Sequence, residues 1–128
     1  MNAQHSRHYS LEEASALLPR VDELLAAMRD ARARLGDGEA RAALAEAANG
    51  GGRPGRVLSE GFLVLRESML EFREREIVLR DLDRGLVDFP ALRDGREIYL
   101  CWQEGEPAIG FWHERDAGFA GRRPLADD

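Results

Sequence analysis

The chain carries a single cysteine, which excludes an internal disulfide framework and a cysteine-rich zinc site. It has no run of about 18 apolar residues, so no membrane-spanning helix is expected. Residues 1–9 are polar and lack the apolar stretch of a secretory signal. Cytoplasmic residence is what these absences leave, and a lone thiol suits that compartment. Positive charge is also in deficit: 18 Lys and Arg face 24 Asp and Glu, for a formal net charge of -6 and a pI near 5.1. Such an acidic field argues against DNA, RNA or an anionic membrane as a partner, although Arg115, Arg122 and Arg123 cluster near the end.

What is present reads as a soluble domain. A length of 128 residues, 44% hydrophobic and 33% charged, suits one domain over residues 1–128 that buries roughly two-thirds of its unfolded surface. Residues 1–9 read as a flexible tail. Ser10-Leu11-Glu12-Glu13 is a capping box that opens a helix over residues 10–35, whose apolar stripe runs from Ala14 to Leu35. Pro19 interrupts that stripe. It either kinks one helix or sits in the first turn of a second, and the continuous stripe favours one kinked element. Residues 36–55 read as a flexible helix and linker, ending in Asn-Gly-Gly-Gly-Arg-Pro-Gly.

A second long helix is expected over residues 56–84. Leu58, Phe62, Leu65, Met69, Phe72 and Leu79 recur in alternating four- and three-residue steps, the seam of a coiled-coil-like hairpin. Glu76 occupies the one seam position that is not apolar. Gly85 closes the helix, and residues 86–125 then carry strand and turn signals.

Asp94-Gly95 marks a two-residue hairpin turn. Counting outward pairs Leu92 with Glu97, Ala91 with Ile98, Phe89 with Leu100 and Val87 with Trp102. A four-residue turn at Glu104-Gly105-Glu106-Pro107 would pair Trp102 with Ile109, Leu100 with Phe111 and Ile98 with His113. One face then collects Val87, Phe89, Ala91, Ile98, Leu100, Trp102, Ile109, Phe111 and His113. The opposite face holds Asp88, Pro90, Leu92, Tyr99, Cys101, Gly110 and Trp112, which is apolar enough to read as a contact surface. The fold class expected is therefore α+β: two long antiparallel helices, a helical hairpin with its first helix kinked at Pro19, packed on a C-terminal three-stranded antiparallel meander.

The motifs G-L-V-D-F-P-A (85–91), C-W (101–102), G-E-P-x-I-G-F-W-H (105–113) and D-x-G-F-x-G-R-x-P (116–124) stand with an N-terminal Y-S-L-E-E-A-x-x-L-L-P (9–19). Together they resemble those of a family of small bacterial proteins of unknown function. The resemblance implies a bacterial cytoplasmic setting and brings no activity, substrate or cofactor with it.

Chemistry is sparse. His113, followed by Glu114 and Asp116, has the type and company of a base or metal ligand, or of a histidine bonded to backbone at a core rim. No second histidine or cysteine pair lies at ligand spacing, so neither a metal nor another cofactor is expected, and no catalytic set assembles. Asp116, Gly118, Gly121 and Arg122 lie where a backbone nest for an anion would form, or where a tight loop ties Arg122 to a carboxylate. Glu76 is either solvated at a hairpin end or paired locally with arginines. Cys101 lacks a defensible base and reads as structural. Two functions follow. The favoured one is a non-enzymatic interaction or assembly protein, homo-oligomeric or joined to an unknown protein partner through Tyr99 and Trp112. The alternative is a small-ligand, anion or metal-binding protein or small enzyme with its site at Glu76, His113, Asp116, Gly118, Gly121 and Arg122.

Overall fold

A computed structural model describes residues 3–49 and 59–127. The chain forms two compact units, Met1–Pro19 with Glu76–Asp128, and Arg20–Arg75. Four helices precede a five-stranded antiparallel sheet of order β1-β2-β3-β4-β5. The fold is α+β, but the sheet has five strands where three were expected.

The capping box forms as its residues dictate. Ser10 Oγ accepts from the Glu13 N–H at 3.0 Å while Glu13 Oε1 accepts from the Ser10 N–H at 2.8 Å. They open α1, Leu11–Ala16, which stops at Leu17; α2 then runs Leu18–Arg34. Pro19 therefore sits in the first turn of a new helix rather than kinking one long helix, because its missing N–H has no partner to lose there.

In the unit of residues 20–75, α3 spans Asp37–Ala48 and α4 spans Glu60–Glu74. The Gly-rich part of the expected linker (50–55) and the expected helix start (56–58) lie outside the described residues. Helices α2 and α4 run antiparallel: Arg20 forks onto Glu71 at 2.6 and 2.8 Å, while Gly61 lies against Leu35 and Ala31. Phe62, Leu65 and Phe72 of the predicted seam are buried. Small Ala40, Ala43 and Ala47 form the buried side of α3, and Arg73 donates to the carbonyls of Ala47 and Ala48, satisfying the helix end.

The helix predicted to reach residue 84 ends ten residues earlier. Glu76 adopts φ 58°, a left-handed stop, and Ile77 is buried. Val78–Asp81 then forms β1. The gap in the apolar stripe at Glu76 was thus a helix terminus, and the β-branched Ile77-Val78 that follows suits a strand. Gly85, at φ 64°, turns the chain into β2, Leu86–Arg93, and the Asp94-Gly95 turn, both residues at positive φ, leads into β3, Arg96–Gln103. All four expected β2–β3 pairs form as counted.

The next pairing does not. Strand β4, Phe111–Glu114, pairs Ile98 with Glu114, Tyr99 with His113, Leu100 with Trp112 and Cys101 with Phe111. The predicted four-residue turn is replaced by a longer connection in which Glu106 folds back. Its backbone carbonyl accepts from Trp102 Nε1 at 3.1 Å, and its carboxylate accepts from the Gln103 N–H at 2.7 Å. The register moves by one residue, so Trp112 joins Leu100 and Trp102 on one face, and Phe111 and His113 cross to the other. The short β5, Arg123–Pro124, closes the sheet against β4.

Both faces of β2 and β3 are buried. On the first, Tyr9 sets its ring edge against Phe89 with centroids 5.6 Å apart, and the Tyr9 N–H donates to the Pro90 carbonyl at 2.7 Å. The second is covered by residues 4–8 and by the segment after β4. Tyr99 and Trp112, expected on an open contact surface, are each only 3% exposed. Trp112 lies on the first face under the Arg93 and Arg123 guanidinium groups.

Two outcomes check this fold. Cross-strand NOEs are expected between Leu100 and Trp112 and between Tyr99 and His113; NOEs joining Leu100 to Phe111 would restore the shorter turn. Ser10→Ala is expected to lower unfolding free energy by about 1 kcal/mol in urea denaturation.

Candidate functional site

Three neighbouring strands bring Asp88, Cys101 and His113 together on the second face. Asp88 and Cys101 are direct partners across β2 and β3, and the shifted register places His113 next to them on β4. All three are buried, with one candidate ligand atom from each lying within 4.8 Å of the others.

His113 is locked in place. Its Nδ1–H donates to the Glu114 carbonyl at 2.7 Å, and its Nε2 lies 3.0 Å from Asp88 Oδ2. Both partners are acceptors, so the ring carries two hydrogens as an imidazolium. Burial opposes that charge, but the hydrogen bond with Asp88 outweighs it, with help from Cys101 and the Glu114 carbonyl, and pushes the His113 pKa up to about 10. Both ring nitrogens are thus engaged, one by the Glu114 carbonyl and one by Asp88.

Asp88 is 2% exposed and anchors the group. Arg80 Nε donates to Oδ2 at 2.8 Å, while its guanidinium lies 5.0 Å from the Tyr99 ring centroid. Among the described residues the other oxygen, Asp88 Oδ1, is buried without a hydrogen-bond partner. Such an atom costs about 1–3 kcal/mol unless something donates to it. Asp88 also lines a cavity of about 240 Å³, together with Arg80, Cys101, Asp116, Gly118 and Phe119 among others.

The residues singled out from sequence are distributed as follows. Asp116 and Gly118 line this cavity, and His113 is held by Asp88 in its wall. Arg122 reaches the Cys101 side chain, but its fork is occupied by Glu106 at 2.8 and 3.2 Å and its guanidinium stacks over Phe111 and Phe119. Of the two readings of this segment, the structure has the features of the tight loop that ties Arg122 to a carboxylate. The N–H groups of Gly121 and Arg122 donate to the Gly118 and Phe119 carbonyls in a tight turn. Gly121 is needed for space, since a Cβ there would stand 2.8 Å from that of Ala117. Glu76 is elsewhere, accepting from the Ser6 N–H and hydroxyl and from His5 Nδ1.

Asp88 and Cys101 were not proposed as site residues from sequence, although the β2–β3 register had already placed them opposite each other. The missing signal was one residue in the following connection.

A second cluster secures the N-terminal segment that was expected to be a tail. Glu97, buried on the same face, accepts from the Gln4 and His5 N–H groups, from His8 Nε2 at 2.7 Å and from Arg115 Nη1 at 3.0 Å. Burial alone would raise its pKa, but these donors win and hold it at about 2. His5 Nε2 meets the Tyr99 hydroxyl at 2.8 Å, and the Tyr99 ring lies 5.5 Å from that of His113. The N-terminal segment is thereby tied to the face that carries the site.

The site is thus a buried Asp–Cys–His cluster beside a cavity of mixed polar and apolar lining, held on three strands of an antiparallel sheet. The chain belongs to the family described as Uncharacterized conserved protein (DUF2203), matched over residues 7–125. No curated protein and no solved structure matches it. Among the described residues, no helix is long and apolar enough to cross a membrane.

The depressed Glu97 pKa sets an acid limit. Its contribution is complete above pH 4.5 and is lost as pH falls from there towards 2, because the unfolded carboxyl takes up a proton first. Glu71, held near 2 by Arg20 and Arg75 against the opposing effect of burial, falls in the same window, so the comparison must be between variants. Glu97→Gln is expected to lower the melting temperature at pH 7 and to reduce the stability lost between pH 4.5 and 2. Superimposable pH profiles for the two proteins would exclude the Glu97 clamp.

Proposed function

We propose that this protein binds a small polar ligand in the cavity beside Asp88, Cys101 and His113. The partnerless Asp88 Oδ1 carries this reading, because a buried carboxylate oxygen needs a donor and the described residues provide none. A ligand N–H or O–H, or a cation, would meet that need. Arg80 and Asp116 supply polar groups around the opening, and Leu86 and Phe119 supply apolar contact. Binding rather than acyl or peptide hydrolysis suits a cluster whose histidine is occupied on both nitrogens.

One of the observations behind the homo-oligomer reading, an open face bearing Tyr99 and Trp112, falls away, because both side chains are covered within the chain. The large apolar side chains exposed among the described residues are Leu11, Leu63 and Leu92, which stand apart in the sequence and make no sequence-local patch.

Protein-observed 1H–15N NMR on chelator-treated protein tests the proposal with a library of small polar fragments. Hits are expected to shift the backbone amides of Cys101, Asp116, Gly118 and Phe119. A folded protein for which no fragment moves these resonances would overturn the reading.

A further inference from the structure

We infer that Asp88, Cys101 and His113 form a binding site for a divalent transition-metal ion of the zinc type, with a coordination position open to the adjoining cavity. This rests on the reading of that cavity as a ligand site and names what its wall would hold.

The donor set is the first argument. A thiolate, an imidazole and a carboxylate suit zinc or cobalt, whereas magnesium and calcium favour oxygen donors alone. Three protein ligands with one free position is the pattern of zinc sites that bind a further molecule.

The spacing agrees. Ligand atoms around a tetrahedral zinc at its usual bond lengths stand about 3.3–3.8 Å apart. Here one candidate donor atom from each of the three side chains lies within 4.8 Å of the others. Closing that spread by about an ångström on fixed strands would complete the geometry.

The surrounding bonds are those that orient metal ligands. The Nδ1–H of His113 donates to a backbone carbonyl, turning Nε2 toward the other two donors. Arg80 holds Asp88 Oδ2 and leaves Oδ1, the partnerless atom, for an ion. Thus two groups already restrain the ligands, while one ligand atom is unsatisfied.

Arg80 and Arg122 are cationic and would repel an ion added without compensation. Bound through a carboxylate and a thiolate, the dication's two charges would be offset by its own ligands, and the protons displaced by the metal would leave for solvent.

Cobalt(II) added to the metal-free chain tests this directly, since Cys101 is its only cysteine. One equivalent is expected to give a thiolate-to-cobalt charge-transfer band, displaced by zinc and lost in Cys101→Ser. His5→Ala and His8→Ala should retain the band, separating this site from binding by N-terminal imidazoles. Absence of the band in the wild-type chain, or its persistence in Cys101→Ser, would overturn the inference. If Cys101→Ser does not fold, cadmium NMR of the wild-type chain decides: a shift showing a sulfur ligand supports the site, and one showing only oxygen and nitrogen ligands rejects it. Fragment binding to metal-free protein with no cobalt band would reject the metal site while leaving the cavity reading intact.

Discussion

A carboxylate removed from water must be neutralised, and the second face of the sheet is organised around that requirement at Asp88. Arg80 from β1 and His113 from β4, on either side of β2, approach the same oxygen. Tyr99 fills the space beside them, touched by the rings of His5 and His113 and by the Arg80 guanidinium. Removing the Asp88 charge would leave His113 buried as an uncompensated cation, so the strands, the N-terminal segment and the site depend on one interaction. Among the described residues only one of the two carboxylate oxygens is engaged, which leaves the ion pair open on one side.

Strand parity decides which residues share that environment. Side chains alternate across a strand, so one added residue in a connection exchanges every side chain of the next strand between faces. The 104–110 connection has that effect. Glu106 takes the Trp102 indole and the Gln103 N–H, forming a wider loop than a four-residue turn. His113 then leaves the Leu100 face for that of Asp88 and Cys101, while Trp112 moves the other way. Through this single shift Trp112 leaves the face expected to be an open contact surface, and His113 joins it.

Glu97 shows how a segment without regular structure can be retained. Residues 4–9 contain no helix or strand, and their composition suggested a tail. Two of their backbone N–H groups and the His8 ring converge on one buried carboxylate, which Arg115 also engages. Such bonds arise between residues roughly ninety positions apart, beyond the reach of periodicity or local composition. The same limit hid the end of α4: the apolar spacing continued through Leu79, but pairing of Val78 and Leu79 with Asp88 and Val87 drew that segment into the sheet.

Local chemistry by itself determined the Ser10–Glu13 cap, the buried Phe62, Leu65 and Phe72, the Asp94-Gly95 turn and the β2–β3 register, because each depends on residues close in sequence or on a turn with a defined length. The tertiary structure alone decided the fifth strand, the route of residues 4–9 and the meeting of Asp88, Cys101 and His113. Those features depend on how a flexible connection closes and on which distant donors reach a buried charge. Neither follows from the side-chain pattern of one segment.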